Sequence, residues 1–210
     1  MNVILHIGNK RLSSWSMRPW LALKQAGVEF EENLVPLDVP VTREQLAEIS
    51  PVGTVPVLEI DGQKIWDSLA ICEWAAEQSP SLWPKDASLR ATARAVTATM
   101  HSGYAALRAT LPMDLQRPKG ATGMGVACWA DIEAVEKLWS EVKTGEGPYL
   151  FGDWSIADAF FTPVATRFDT YQVPISETSQ AYVDTLLNDA HYQDWLAGAK
   201  DEPFPALGDA

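Results

Sequence analysis

Cysteine is scarce in this chain. Cys72 and Cys128 are the only two among 210 residues, and with no CxxC pair they argue against a disulfide framework or a thiolate metal site. Buried reduced thiols are the reading that remains. The three histidines, His6, His101 and His191, show no metal-ligand spacing either, so no metal is expected. Basic residues are also few: 16 Lys and Arg stand against 28 Asp and Glu, a formal net charge of -12. Both halves are acidic and no basic patch stands out, so the phosphate neutralisation that nucleic-acid binding needs is missing. No run approaches the roughly 18 uninterrupted apolar residues of a membrane span. The opening MNVILHIGNK has no charged leader or small-residue cleavage site. It reads as a first strand, and the expected location is the cytoplasm, without membrane attachment.

What the chain does have is enough apolar material, 47% of residues, to bury a substantial core. Residues 2–7 alternate as a strand, a polar stretch 9–16 follows, and Pro19-Trp20-Leu21-Ala22-Leu23 opens an apolar run ending at Gly27, the pattern of strand, loop and capped helix. Residues 28–36 read as a second strand, and Thr42 with Gln45 suggests a capping box for a short helix. Residues 54–60 and 63–66 flank the turn signal Asp61-Gly62 as a hairpin. Ser68 then opens a helix running to about Gln78. Two prolines and three serines in 79–88 have the composition of a linker. Beyond it helical patterns fit 88–109, 124–142, 156–170 and 179–198, and almost nothing reads as strand. The expected organisation is an α/β domain over 1–80 with a βαβαββα order and a mixed sheet, a linker at 81–87, and an all-helical domain over 88–210.

Four local features stand at telling places: Ser13-Ser14-Trp15-Ser16 before the first helix, Thr54-Val55-Pro56-Val57-Leu58, Asp67-Ser68 at a strand-to-helix junction, and Ser155-Ile156-Ala157-Asp158 in the helical half. In this order and spacing the chain resembles the glutathione S-transferase family over nearly its full length. The run SSWSMRPWLALK is similar to the zeta class, known for maleylacetoacetate isomerase activity, and to bacterial transferases with an SSWSxRPWL opening. The resemblance implies a thioredoxin-like N-terminal domain, an all-helical domain forming the acceptor pocket, and a homodimer. It implies glutathione as co-substrate and a small electrophile as second substrate. The zeta lysine before Val-Pro is absent here, since Gly53-Thr54 stands in its place.

Carried over by position, Ser13 is the thiol-activating residue, with Ser14 as its alternate; the residues themselves do not decide between the two. A serine hydroxyl bonded to the sulfur and a helix N-terminus together supply about 2–4 kcal/mol, enough to lower a thiol pKa of about 8.5 by two units. Ser16 suits the helix N-cap. The resemblance implies a cis Val55–Pro56 bond whose Val55 backbone pairs with the glutathione cysteinyl backbone. Asp67 would balance the γ-glutamyl ammonium and Ser68 would hold its carboxylate. Ser155 to Asp158 is a capping box with a structural role. Trp15, Tyr104, Arg108 and Arg167 are candidate contacts to the acceptor substrate, Arg167 through an acidic group on it. Trp20, Trp74, Trp139 and Trp195 sit in apolar patterns and read as core. A glutathione-binding or protein-interaction module without turnover is the competing reading. A thiol-disulfide oxidoreductase is disfavoured because Trp15 stands where a catalytic cysteine would be.

Overall fold

A computed structural model describes residues 1–37 and 42–202. The N-terminal half holds β1 (Val3–Gly8), α1 (Ser14–Gln25), β2 (Glu31–Val35), α2 (Thr42–Ile49), β3 (Val57–Ile60), β4 (Gln63–Trp66) and α3 (Ser68–Gln78). The strands form one mixed sheet in the order β2-β1-β3-β4. β1 runs parallel to β2, through the right-handed crossover logic of a βαβ unit, and antiparallel to β3. This is the thioredoxin-like domain that the resemblance implied.

After a 3-10 turn at Pro80–Leu82 the chain is helical: α4 (Ala87–Ser102), α5 (Ala105–Thr110), α6 (Val126–Val142), α7 (Ile156–Thr170), α8 (Glu177–Leu187) and α9 (Ala190–Lys200). Among the described residues no helix is long and apolar enough to cross a membrane. Both cysteines are free and buried.

α7 is the axis of this half. All its residues except Asp169 are buried, and it packs on α1, α4 and α8. A helix apolar all round belongs inside, and each fully buried phenylalanine, such as Phe160 and Phe161, contributes about 1.5–3 kcal/mol. Its start is fixed by Asp158, which is 0% exposed. Oδ2 accepts from the Ser155 N–H at 2.8 Å and the Ser155 hydroxyl at 2.9 Å. Oδ1 accepts from the Tyr182 hydroxyl at 2.7 Å and the Leu150 N–H at 3.3 Å. The four motif residues therefore play the structural part expected of them.

Several boundaries differ from the sequence pattern, each for a local reason. The segment 88–109 is two helices, because Tyr104 takes a left-handed conformation at φ 55° and Gly103 turns the chain where a Cβ would lie 2.6 Å from the Thr99 carbonyl oxygen. The segment 179–198 breaks where Asp189 caps α9, accepting from the His191 and Tyr192 N–H groups. The second strand covers only Glu31–Val35 of 28–36. Thr42 is the first residue of α2 and donates its hydroxyl to the Pro36 carbonyl at 2.6 Å.

Candidate active site

The two halves meet around the N-terminus of α1. Ser13, not Ser16, is the N-cap: its Oγ accepts from the Ser16 N–H at 3.3 Å and donates to Ser16 Oγ at 2.8 Å. Ser16 Oγ in turn accepts from the Gly8 N–H at 3.1 Å. Ser16 is thus spent on tying the strand end to the helix, which the sequence pattern does not reveal because it depends on β1 approaching α1. Ser14 Oγ accepts from Arg167 Nη2 at 3.2 Å, a contact from α7 to α1. Both serines are buried.

Trp15, Thr54, Val55, Pro56, Asp67 and Ser68 line one cleft of about 300 Å³. Three separate sequence motifs converge there, and the Val55–Pro56 bond is cis. Asp67, at φ 77°, caps α3 with Oδ1, which accepts from the Leu69 N–H at 2.8 Å and the Ala70 N–H at 3.4 Å. Its Oδ2 lies 3.3 Å from His101 Nε2, with the residue exposed. Ser13 and Ser14 are not among the lining residues. A larger cavity of about 450 Å³ lies at Glu73, Trp83, Arg90 and Arg94, away from all the motif residues.

The Trp15 indole gathers three groups around it. The Arg18 guanidinium is 4.3 Å from the ring centre and that of Arg108 5.0 Å, both within cation–π range. The His101 ring meets it edge-on at 5.3 Å. Arg18 is also 4.7 Å from the Phe160 ring of α7. Burial, then Arg167 and Arg108, pulls the Arg18 guanidinium down to about 9, and burial with Arg108 pulls Arg167 to about 10. Both remain cations at neutral pH. Asp67 is the carboxylate whose charge Arg18 feels. Burial raises the neighbouring Cys72 thiol, which leaves it an inert core group.

Hydrogen-bond accounting separates this place from the rest of the molecule. Among the described residues the buried side-chain polar atoms without a partner are Arg18 Nε and Nη1, Ser68 Oγ, His101 Nδ1 and Trp139 Nε1. All but the last belong to residues on or against this cleft. Leaving a buried donor or acceptor unpaired costs about 1–3 kcal/mol each, and such a concentration fits a site shaped to receive a polar ligand.

The acceptor candidates divide. Trp15 lines the cleft, and Arg108 stands over it while donating to the Gly103 carbonyl at 3.2 Å. Tyr104 is partly buried at the α4–α5 break, its phenol raised by burial and Asp131. Arg167 is fully engaged, donating from Nε to the Leu111 carbonyl at 2.8 Å, from Nη1 to the Pro163 carbonyl at 2.7 Å and from Nη2 to Ser14. Arg18, which the sequence offers as a source of positive potential near the thiolate but with no catalytic role, joins the site, and so does His101, which the sequence does not announce. The available signal for His101 was its place on the helical segment that also carries Tyr104 and Arg108.

Comparison with known proteins agrees with this geometry. Residues 12–78 match the family model described as glutathione S-transferase, N-terminal domain. The chain is 34% identical over 168 residues to a probable maleylacetoacetate isomerase of Caenorhabditis elegans, covering 78% of this chain and 77% of that protein. It is 29% identical to a maleylpyruvate isomerase of a Ralstonia species, covering 78% and 82%. The crystal structure of a glutathione transferase homologue from Burkholderia, with bound glutathione, superposes with a TM-score of 0.76 at 25% identity, over 96% of this chain and 100% of that one. On fold, motif placement and sequence together, the chain belongs to the glutathione S-transferase family of glutathione-dependent enzymes.

Proposed function

We propose that the chain binds glutathione in the Trp15–Val55–Ser68 cleft, holds its thiol as a thiolate at the N-terminus of α1, and delivers it to a small electrophile that carries a carboxylate. The concentration of unpaired buried polar atoms at Arg18, Ser68 and His101 is the observation that carries this reading. Backbone groups of Val55, ahead of β3, suit the cysteinyl backbone of the peptide, with Pro56 shaping the wall beside it. The unpaired Ser68 hydroxyl at the start of α3 suits the γ-glutamyl carboxylate. Asp67 Oδ2 suits the ammonium.

A thiol of pKa about 8.5 is only about 3% ionised at pH 7. A lowering of about two units takes the thiolate to roughly three quarters and corresponds to about 2.7 kcal/mol. Two features support such a shift: the α1 N-terminus, and the positive potential of Arg18, Arg108 and Arg167 in a site with few carboxylates. The serine pair offers two routes for the hydroxyl bond to sulfur. Position in the family pattern selects Ser13, the N-cap itself. Hydrogen-bond accounting favours Ser14, whose oxygen accepts from Arg167 and leaves its own proton free to donate, whereas Ser13 donates to Ser16.

Once formed, the thiolate attacks an electron-poor carbon, making a C–S bond. In a conjugation the adduct then takes a proton from solvent or loses a leaving group. In an isomerisation the electron pair moves into an adjacent carbonyl to give an enolate, and the former double bond rotates. Collapse of the enolate breaks the C–S bond and returns the thiolate, with no net proton change. Arg108, half-buried and stacked on Trp15, suits the carboxylate and the developing oxyanion, and Arg18, fully buried against the same ring, adds positive potential without touching the substrate. That cation pair, with the similarity to maleylacetoacetate and maleylpyruvate isomerases, favours isomerisation as the second reading.

The test compares glutathione-dependent isomerisation of maleylacetoacetate and maleylpyruvate with conjugation of a neutral aryl halide. Turnover of the acidic substrates that falls at least tenfold in Arg108→Gln supports the reading. Equal handling of charged and neutral electrophiles by both forms contradicts it. A homodimer is part of the same proposal, supported by the exposed apolar residues Val52, Trp66 and Leu89; sedimentation at a single-chain mass would refute it.

A further inference from the structure

Three features lie outside the lining of the cleft: the linker groove at Trp83, the carboxylate pocket of Asp158, and His101. The groove has no indicated occupant, and Asp158 has every lone pair in use. His101 is different.

It stands on the last turn of α4, in the helical half, yet its Nε2 lies 3.3 Å from Asp67 Oδ2, at the α3 cap in the other half. Its ring is held edge-on to Trp15 and tilted against Phe160, with centroid separations of 5.3 and 5.9 Å. Two aromatic neighbours from two further helices fix its direction. Asp67 uses Oδ1 to cap α3, so Oδ2 is the oxygen left for a ligand, and it is the one His101 faces. His101 Nδ1 is buried with no partner.

We propose that His101 gates the ammonium end of the glutathione site: neutral, its Nε2–H orients Asp67 and shares Oδ2 with the incoming ammonium; protonated, its charge competes with that ammonium for the same oxygen. This rests on the reading of Asp67 given above. The chemistry runs one way. An imidazolium carries N–H donors on both nitrogens, and here the second would be buried with nothing to accept it. The neutral ring with its proton on Nε2 pairs with the carboxylate and leaves Nδ1 an unpaired acceptor on an uncharged ring, a smaller loss than an unpaired donor on a buried cation. The groups that face the ring are Asp67 from the β4–α3 junction, Arg18 from α1 and Arg108 from α5. Burial first, then Arg18 and Arg108, lower the imidazole below its ordinary value, while Asp67 acts to raise it. His101 is therefore neutral at pH 7 and charges only below the usual range of about 6.5. A ligand ammonium and an imidazolium cannot share one carboxylate oxygen without repulsion, so ligand binding and His101 protonation oppose each other, and by linkage the opposition is reciprocal.

S-methylglutathione is the probe, because it keeps the ammonium and has no thiol to titrate. Calorimetric affinity in the wild type is flat from pH 8 to about 6.5 and then falls, about tenfold per pH unit once His101 is charged. His101→Gln, which retains a donor toward Asp67 but does not titrate, gives an affinity that stays flat from pH 8 down to pH 5, whatever its level at pH 7.5. A merely structural histidine would instead weaken binding equally at every pH. In the unmutated protein, NMR titration of the His101 ring shows its pKa moving lower when S-methylglutathione is added, a readout that needs no variant. A His101→Gln profile that falls like the wild type, or a ring pKa unmoved by ligand, overturns the gate. Failure of the wild type to bind S-methylglutathione at any pH overturns the reading of Asp67 and the gate with it.

Discussion

Two helix starts in this molecule use nearly the same residues for opposite ends. At α7, Ser155 and Asp158 bury an aspartate completely and give its oxygens four donors. At α3, beside the cleft, Asp67 caps with one oxygen and turns the other to a single neighbour, His101 Nε2 at 3.3 Å, and Ser68 keeps one buried hydroxyl with no partner. Both aspartates accept backbone N–H groups at a helix start, Asp67 from Leu69 and Ala70 inside α3 and Asp158 from the Ser155 N-cap and Leu150 ahead of α7. The difference lies in what remains afterwards. A cap whose accounts all close inside the protein is scaffold, and a cap that leaves polar groups unpaired beside a cavity is a site in waiting.

Substitutions sharpen that contrast. Asp158→Ala removes the acceptor of four buried donors and is expected to cost about 3 kcal/mol of stability, read as a lowered urea midpoint with unchanged m. The folded fraction should still bind glutathione. Asp67→Ala is expected to behave in reverse, with glutathione affinity down about thirtyfold for a lost charge-assisted contact of about 2 kcal/mol and a stability cost near 1 kcal/mol for the cap. Ser68→Ala gives the smallest effect: affinity drops about fivefold, the equivalent of about 1 kcal/mol, while stability holds or rises, because an unpaired buried hydroxyl is removed. Should Asp158→Ala lose affinity and keep stability, or Ser68→Ala lose stability and keep affinity, the distinction between the two caps collapses.

The scaffold cap was fully legible in the sequence, since a serine and an aspartate three positions apart before Ala159-Phe160-Phe161 is a local signal. So were the hairpin at Asp61-Gly62 and the order of elements in the α/β half. The breaks at Gly103-Tyr104 and Asn188-Asp189 were not, because apolar periodicity continues across each and only the caps interrupt it. The cleft residues Val55, Pro56, Asp67 and Ser68 followed from their motifs. Arg18 lies one helical turn from Trp15 on α1, a local spacing, but its burial against Phe160 of α7 and the arrival of His101 from α4 are long-range arrangements without a local signature. The choice of N-cap for α1 failed for a related reason: three serines compete, and the Gly8 N–H, delivered by β1, decides which one is occupied elsewhere.

The most direct test of the account is an ultraviolet titration of the thiolate of bound glutathione, across about pH 5–10, a range that spans the free thiol value, in wild type, Ser13→Ala and Ser14→Ala. The account predicts a bound thiol ionising about two units below its free value in the wild type, returning toward that value in one serine variant and not the other, with the responsive variant naming the donor. A bound thiol that ionises at its free value in the wild type, or a lowered value that neither substitution moves, contradicts serine activation at the N-terminus of α1.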